Sequence, residues 1–289
     1  MAEPDEFAPP TRAPLSGVRP SSARALLLVV LGEFVWPSVR PVWSSTLLAA
    51  LAEFDIEPNA ARKALQRTAV TGLMETTRQG RRARWQITRA GFSLFSTGYE
   101  QVYGWGARDR SWDGQWFVLS ATVPESQRRV RHHLQTRLTW AGLGSPAPGE
   151  WLTPHWQRGE QVARIIRDLG LEDQAHSFIG QLGPVGDESR LVRAAWNLDA
   201  LAQDYREFIA TYSALAPGTD QECLRARVAL AQAWRRFPYL DPDLPPQFLP
   251  PTWPGEEASR VFRDRHNAWS ARSARYWKRL EAATRDSAA

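Results

Sequence analysis

From Ser21 to Thr88 the chain runs through three helix-length apolar patterns and then a strand-length alternation interrupted at Gln79-Gly80, and that succession leaves few folds open. Ser21-Ser22 can cap a helix from about 22 to 35, whose ALLLVVL run is apolar on most sides, as befits a buried central helix. Ser44-Ser45 can start a second helix, TLLAALAEF, with Leu47, Leu48, Leu51 and Phe54 apolar. Glu57-Pro58-Asn59 then opens a third helix over about 59–71, because proline is tolerated at a helix start, and Gly72 supplies its stop. LMETTRQGRRARWQIT alternates about Gln79-Gly80 and predicts a β-hairpin. Three helices and a hairpin in so short a span predict a winged helix-turn-helix, placed at 21–97.

The remainder reads as further units. AGFSLFSTGYEQVYG (90–104) has the character of a linking helix, and 98–112 is taken as the linker. QWFVLSATV (115–123) predicts a buried strand, 125–142 an amphipathic helix with Val130, Leu134 and Leu138, 150–156 a strand, 159–171 a helix and 177–183 a strand. That β-α-β-α-β run predicts a ferredoxin-like α+β domain over 113–187. From 188 to 289 the spacing of Leu191, Ala194, Ala195, Leu198, Leu201 and Tyr205 predicts a helical C-terminal domain. It is interrupted by FPYLDPDLPPQFLPPTWPG (237–255), too aromatic for a flexible linker and expected to pack down. The fold class is therefore α+β, multidomain. Residues 1–20, Pro-rich and acidic at the start, are expected to be disordered and lack the basic start of a secretion signal.

Charge then points to a partner. Residues 58–91 hold eight basic side chains against one acid, Glu75, in a chain whose net charge is only +5. The basicity is local, which implies an anionic surface on one side. On the third helix Asn59, Arg62, Lys63, Gln66 and Arg67 share one face, while Ala61, Ala64, Leu65 and Thr68 point the other way. These are the residue types that read purine edges in the major groove, into which a helix fits. Arg78, Arg81, Arg82 and Arg84 gather about the hairpin tip, where a wing meets phosphates or a minor groove. The bland alternative is a solvated basic helix beside a solvated hairpin. Adjacency of the two elements favours double-stranded DNA.

Chemistry of other kinds finds little support. Lone Cys223 allows no internal disulfide or cysteine metal cage, as suits a reducing cytoplasm, and no apolar run reaches the roughly 18–20 residues of a membrane span. His132, His133, His155, His176 and His266 show no metal-ligand spacing. Gly104-Trp105-Gly106 is followed by Arg108-Asp109 rather than a third glycine, so no dinucleotide loop is expected. A nuclease would need carboxylates for a divalent metal, yet 115–123 contains none. Asp113 and Glu125, which flank it, fit a turn and a helix start better. Neither catalysis nor a cofactor is expected. Two rival readings remain open: a metal-dependent nuclease built on the central domain, and an adaptor whose winged helix contacts protein.

The order of elements, with Trp112-Asp113-Gly114-x-Trp116, Pro124-Glu125, Gly149-x-Trp151, Asp241-Pro242-x-Leu244-Pro245 and Trp253-Pro254-Gly255, resembles the PaaX family of bacterial transcriptional regulators over about 22–280. The resemblance implies an N-terminal winged helix, a central ferredoxin-like domain related to a small CRISPR-associated nuclease, and a helical C-terminal domain. It further implies a dimeric repressor of catabolic genes released by an aryl-acyl-coenzyme A such as phenylacetyl-coenzyme A, and a symmetric dimer would recognise an inverted-repeat operator. Such an effector wants an apolar aromatic slot and arginines for its phosphates, for which Arg236 and Tyr239, with Arg193 and Trp196, are the candidates.

Overall fold

The computed structural model describes residues 22–38, 40–80, 82–105 and 111–286. The N-terminal tail, Arg81 and the stretch Gly106–Arg108–Asp109 named above lie outside the described residues. Helix α1 (Ala23–Val30) starts where the Ser22 hydroxyl accepts the Ala25 N–H, and continues into a π-helical turn, Leu31–Val35. A short strand β1 (Val42–Trp43) leads into α2 (Ser44–Ala52). Ser44 does not cap this helix: its hydroxyl accepts from the Trp85 indole and donates to the Ala83 carbonyl, tying the helix start to the hairpin. Helix α3 (Pro58–Val70) has proline at its first position, and Gly72, at φ 72°, turns the chain out of it. Strands β2 (Met74–Gln79) and β3 (Arg82–Ile87) form the expected hairpin, with Gly80 at φ 62° in the turn, and β1 adds to β3. Helix α4 (Arg89–Tyr103), capped by Thr88, follows directly. Its start lies inside the segment assigned to the winged helix, and it runs unbroken into the expected linker.

Strand β4 (Trp116–Ala121), α5 (Arg128–Trp140), β5 (Gly144–Ala147), β6 (Glu150–Thr153), α6 (Gly159–Asp168) and β7 (Ala175–Gly180) come next. They form a four-stranded antiparallel sheet in the order β5-β6-β4-β7. Strand β5 was not foreseen, because Gly144-Ser145-Pro146 reads as a breaker. It survives at the sheet edge, where proline costs no ladder hydrogen bond, and Gly144 leaves room for the Trp196 ring. Then follow α7 (Glu188–Ala195), α8 (Leu198–Ser213), α9 (Asp220–Trp234), the one-turn α10 (Phe237–Leu240) and α11 (Gly255–Asp286).

Packing divides the described residues differently from the linear reading. One compact unit joins residues up to 105 with 206–235 and those from 256 on. The other joins 111–205 with 236–255. The sequence reading kept 188–289 together as one C-terminal domain. The difference arises because α9 and α11 bury apolar faces on the N-terminal helices. Leu224, Val228, Ala231 and Trp277 share one core with Leu27, Val30, Leu47, Leu51, Leu65, Trp85 and Ile87, and Trp277 stacks on Phe34 at 5.1 Å. In the second unit, one sheet face carries Phe117, Leu119 and Trp151 against α5 and α6. Trp116 and Leu152 pack with Val192, Leu198 and Leu244, and Phe248 and Trp253 of the Pro-rich segment close over them. The segment does pack down, but in this second unit.

Candidate nucleic-acid interface

Helix α3 sorts its side chains as the spacing predicts. Ala61, Ala64, Leu65 and Thr68 are buried, and Thr68 donates its hydroxyl to the Ala64 carbonyl. Asn59, Arg62, Lys63, Gln66 and Arg67 are all exposed on the opposite side. Arg62 donates to Asn59 Oδ1 at 3.1 Å, which leaves most of its guanidinium available. The apolar face holds the helix on the core, so the polar face is presented without local strain. In the hairpin, β2 is exposed from Glu75 through Gln79, and Arg78 reaches solvent.

The β3 arginines have other partners. Arg82 and Arg84 are half-buried, with guanidinium carbons 4.3 and 4.7 Å from the centroid of the Trp43 ring. Arg82 also donates to the Thr284 carbonyl in the last turn of α11 at 2.7 Å. The Thr284 hydroxyl sits 2.7 Å from that of Thr46. Sequence reasoning grouped Arg82 with the exposed arginines, because the contact spans 202 residues and no local pattern announces it.

The same unit contains a buried ionic cluster that the sequence reading also missed. Glu33, in the π-helical turn, receives Arg227 Nε at 2.7 Å and lies 2.9 Å from His266 Nε2, while the Tyr103 hydroxyl donates to its other oxygen. Arg227 reaches on to Ser270 and Ser273 at 3.1 and 3.2 Å. Burial works to raise the Glu33 carboxyl, but the hydrogen bond and charge of His266, with Arg227 and Tyr103, hold it below its ordinary value. Burial and the neighbouring Glu33 push the Tyr103 hydroxyl up. The signal was the acid that ends the ALLLVVL run, which reads equally well as a helix stop.

Three family models match in succession: "PaaX-like protein" over residues 22–91, "PaaX protein central Cas2-like domain" over 109–192 and "PaaX-like protein C-terminal domain" over 196–279. The chain belongs to the PaaX family. It is similar to the transcriptional repressor PaaX of Escherichia coli (strain K12), at 24% identity over 254 residues, covering 84% of this chain and 78% of that protein. Among solved structures it is similar to the uncharacterized protein Rv0674 from Mycobacterium tuberculosis, with TM-score 0.59, 20% identity and 87% and 97% of the two chains covered. At that identity the likeness concerns the fold.

Of the remaining candidates, Asp113 lies in the segment matched by the central PaaX model, Trp196, Arg236 and Tyr239 in that matched by the C-terminal model, and Arg193 between the two. Asp113 accepts the Gln115 N–H at 2.9 Å and the Trp156 indole at 3.0 Å, which hold its carboxyl below the usual range. The Trp112-Asp113-Gly114-x-Trp116 stretch thus turns the chain into β4, and its aspartate is occupied in holding that turn. The four effector candidates are distributed. Arg236 is buried and paired with Asp204 at 3.0 Å, with its guanidinium carbon 5.2 Å from the Phe237 centroid. Tyr239 is half-buried in α10, Arg193 is exposed near the end of α7, and Trp196 packs on Trp116 and Gly144. Arg236 is therefore committed to the half-buried Asp204 carboxylate, which a periodicity reading had no means to reveal. Among the described residues no group of His, Cys, Asp and Glu could hold a metal ion, and no helix is long and apolar enough to cross a membrane.

Proposed function

We propose that this chain is a sequence-specific, DNA-binding transcriptional regulator of the cytoplasm, acting as a repressor of catabolic genes. The observation that carries this reading is α3. It presents five contiguous polar and basic side chains on the face opposite a fully buried apolar stripe, next to a hairpin bearing Arg78. Helices α1 to α3 with the hairpin serve as a winged helix, α3 enters the major groove and the hairpin lies on the backbone. The second unit's antiparallel sheet with α5 and α6 is its ferredoxin-like part. Membership of the PaaX family and similarity to a named transcriptional repressor support this role. A two-fold homodimer would read an inverted repeat with half-sites about 34 Å or a multiple apart. An aryl-acyl-coenzyme A, phenylacetyl-coenzyme A first among them, is the effector class this reading favours. A useful switch needs it to prefer the DNA-free state by about 100-fold.

Fluorescence anisotropy against DNA from upstream of the protein's own gene, with a random duplex as control and the thioester added last, tests the reading. Binding that exceeds the control and falls on addition of the thioester is expected. Equal affinity for both duplexes would argue against a self-regulating repressor, and no binding even at low salt would overturn the assignment of α3.

A further inference from the structure

Arg82 stands at the tip of the hairpin, paired across the turn with Gln79 and next to exposed Arg78, yet its guanidinium is engaged inside the protein. Its partner is not an acid. Thr284 lies in the last turn of α11, where backbone carbonyls have no partner within the helix and carry the negative end of the helix dipole. Arg82 thus serves as a cap for α11, delivered from another element, with Trp43 beneath it. The turn it caps is also fastened to α2 through Thr46, and Ser45 donates to the same carbonyl at 3.5 Å.

We propose that Arg82 is shared between α11 and DNA: it caps the last turn of α11 in the free protein and passes to a backbone phosphate when the hairpin docks. The exchange runs toward DNA because a guanidinium bonds more strongly to an ionised phosphate oxygen than to a neutral carbonyl. DNA binding therefore loosens the end of α11, a segment that need not touch DNA at all. The coupling is reciprocal: whatever holds that turn closed weakens DNA binding by the same factor. This inference rests on the DNA-binding reading, and it makes the last turn of α11 the place where a signal reaching that helix would be felt by the hairpin.

The test is hydrogen exchange on the full chain, free and with a random 30-bp duplex at low salt, where phosphate contacts alone give binding. Anisotropy on the same samples first establishes that the duplex is bound. With DNA bound, the amides of residues 283–285 should exchange several-fold faster while α3 and the hairpin become protected. In Arg82→Ala the same amides should exchange fast with or without DNA. Thr284→Pro, which frays the turn and leaves Trp277 in the core, should bind the duplex about 5-fold more tightly, the worth of one cap at a helix end. That gain should vanish in the double variant with Arg82→Ala. Binding with unchanged or increased protection at 283–285 would overturn the proposal and leave the DNA-binding reading intact. No binding at all would remove both.

Discussion

Replacing Glu33 by glutamine should destabilise the first unit by about 3 kcal/mol. The carboxylate is buried, its side chain 3% exposed, and it faces Arg227, itself only 11% exposed. Removing one partner of a buried pair costs about 3–5 kcal/mol, because the other charge is left uncompensated. Glutamine still offers a carbonyl oxygen to Arg227, so the lower end of that range applies. At about 2–4 °C per kcal/mol for a unit of this size, the melting temperature falls by about 6–12 °C. Urea unfolding followed by circular dichroism gives the free-energy difference, and hydrogen exchange of α1, α9 and α11 assigns the transition to this unit. The pH dependence is a second readout. Glu33 titrates below its ordinary value of 4.5 in the folded chain, so its contribution is complete above that value and lost as pH falls through the folded pKa. The gap between wild type and Glu33→Gln should narrow as pH falls below about 4.5. A Glu33→Gln protein within 1 kcal/mol of wild type at pH 7, or a gap that persists unchanged to pH 3, would refute the argument.

Other perturbations separate recognition from support. Arg62→Ala or Gln66→Ala should each cost about 1–3 kcal/mol on the preferred duplex and little on random DNA, since base-edge contacts discriminate whereas phosphate contacts do not. Competition binding would show this. Gly91→Ala should lower stability by about 1–3 kcal/mol, measured by urea unfolding, because its Cβ would strike the Leu73 carbonyl oxygen and come within 2.9 Å of Ile87 Cγ2. Arg236→Met should destabilise the second unit by about 3–5 kcal/mol by stranding Asp204. Thermal unfolding checks that, and the same variant with Asp204→Leu should recover most of the loss.

What the sequence made legible was what local periodicity encodes. The buried stripe of α3, the Gln79-Gly80 turn and the apolar ridge of α5 follow from spacing alone, and they lie where spacing puts them. What it hid depends on residues far apart in the chain meeting in space. Glu33 meets Arg227 and His266 across 194 and 233 residues, and Arg82 meets Thr284 across 202. A charged side chain at a helix end or hairpin tip reads as solvated unless its partner is known. Strand β5 failed for another reason: propensity counts glycine and proline as breakers, whereas an edge position packed under Trp196 tolerates both.

The division of the core has a consequence for any attempt to isolate the DNA-binding part. Linear reading places that part at 21–97, so a fragment of residues 22–105 should fold if sequence neighbours alone sustain it. The structure says otherwise, since Leu224, Val228, Ala231 and Trp277 belong to the same buried cluster as α1, α2 and α3. Removing them re-exposes the apolar surface they cover. A tryptophan buries about 150–250 Å² and the smaller side chains about half as much each. At about 25 cal/mol per Å², the loss comes to about 9–16 kcal/mol. That matches the whole stability of an ordinary domain, about 5–15 kcal/mol. The fragment also leaves Glu33 without Arg227 and His266, a further cost of the same sign. It should therefore give the circular dichroism and collapsed amide dispersion of an unfolded or molten chain, and bind DNA only through its charge. A well-dispersed amide spectrum from residues 22–105, with affinity for the preferred duplex equal to that of the full chain, would show that α9 and α11 are dispensable to the reading head.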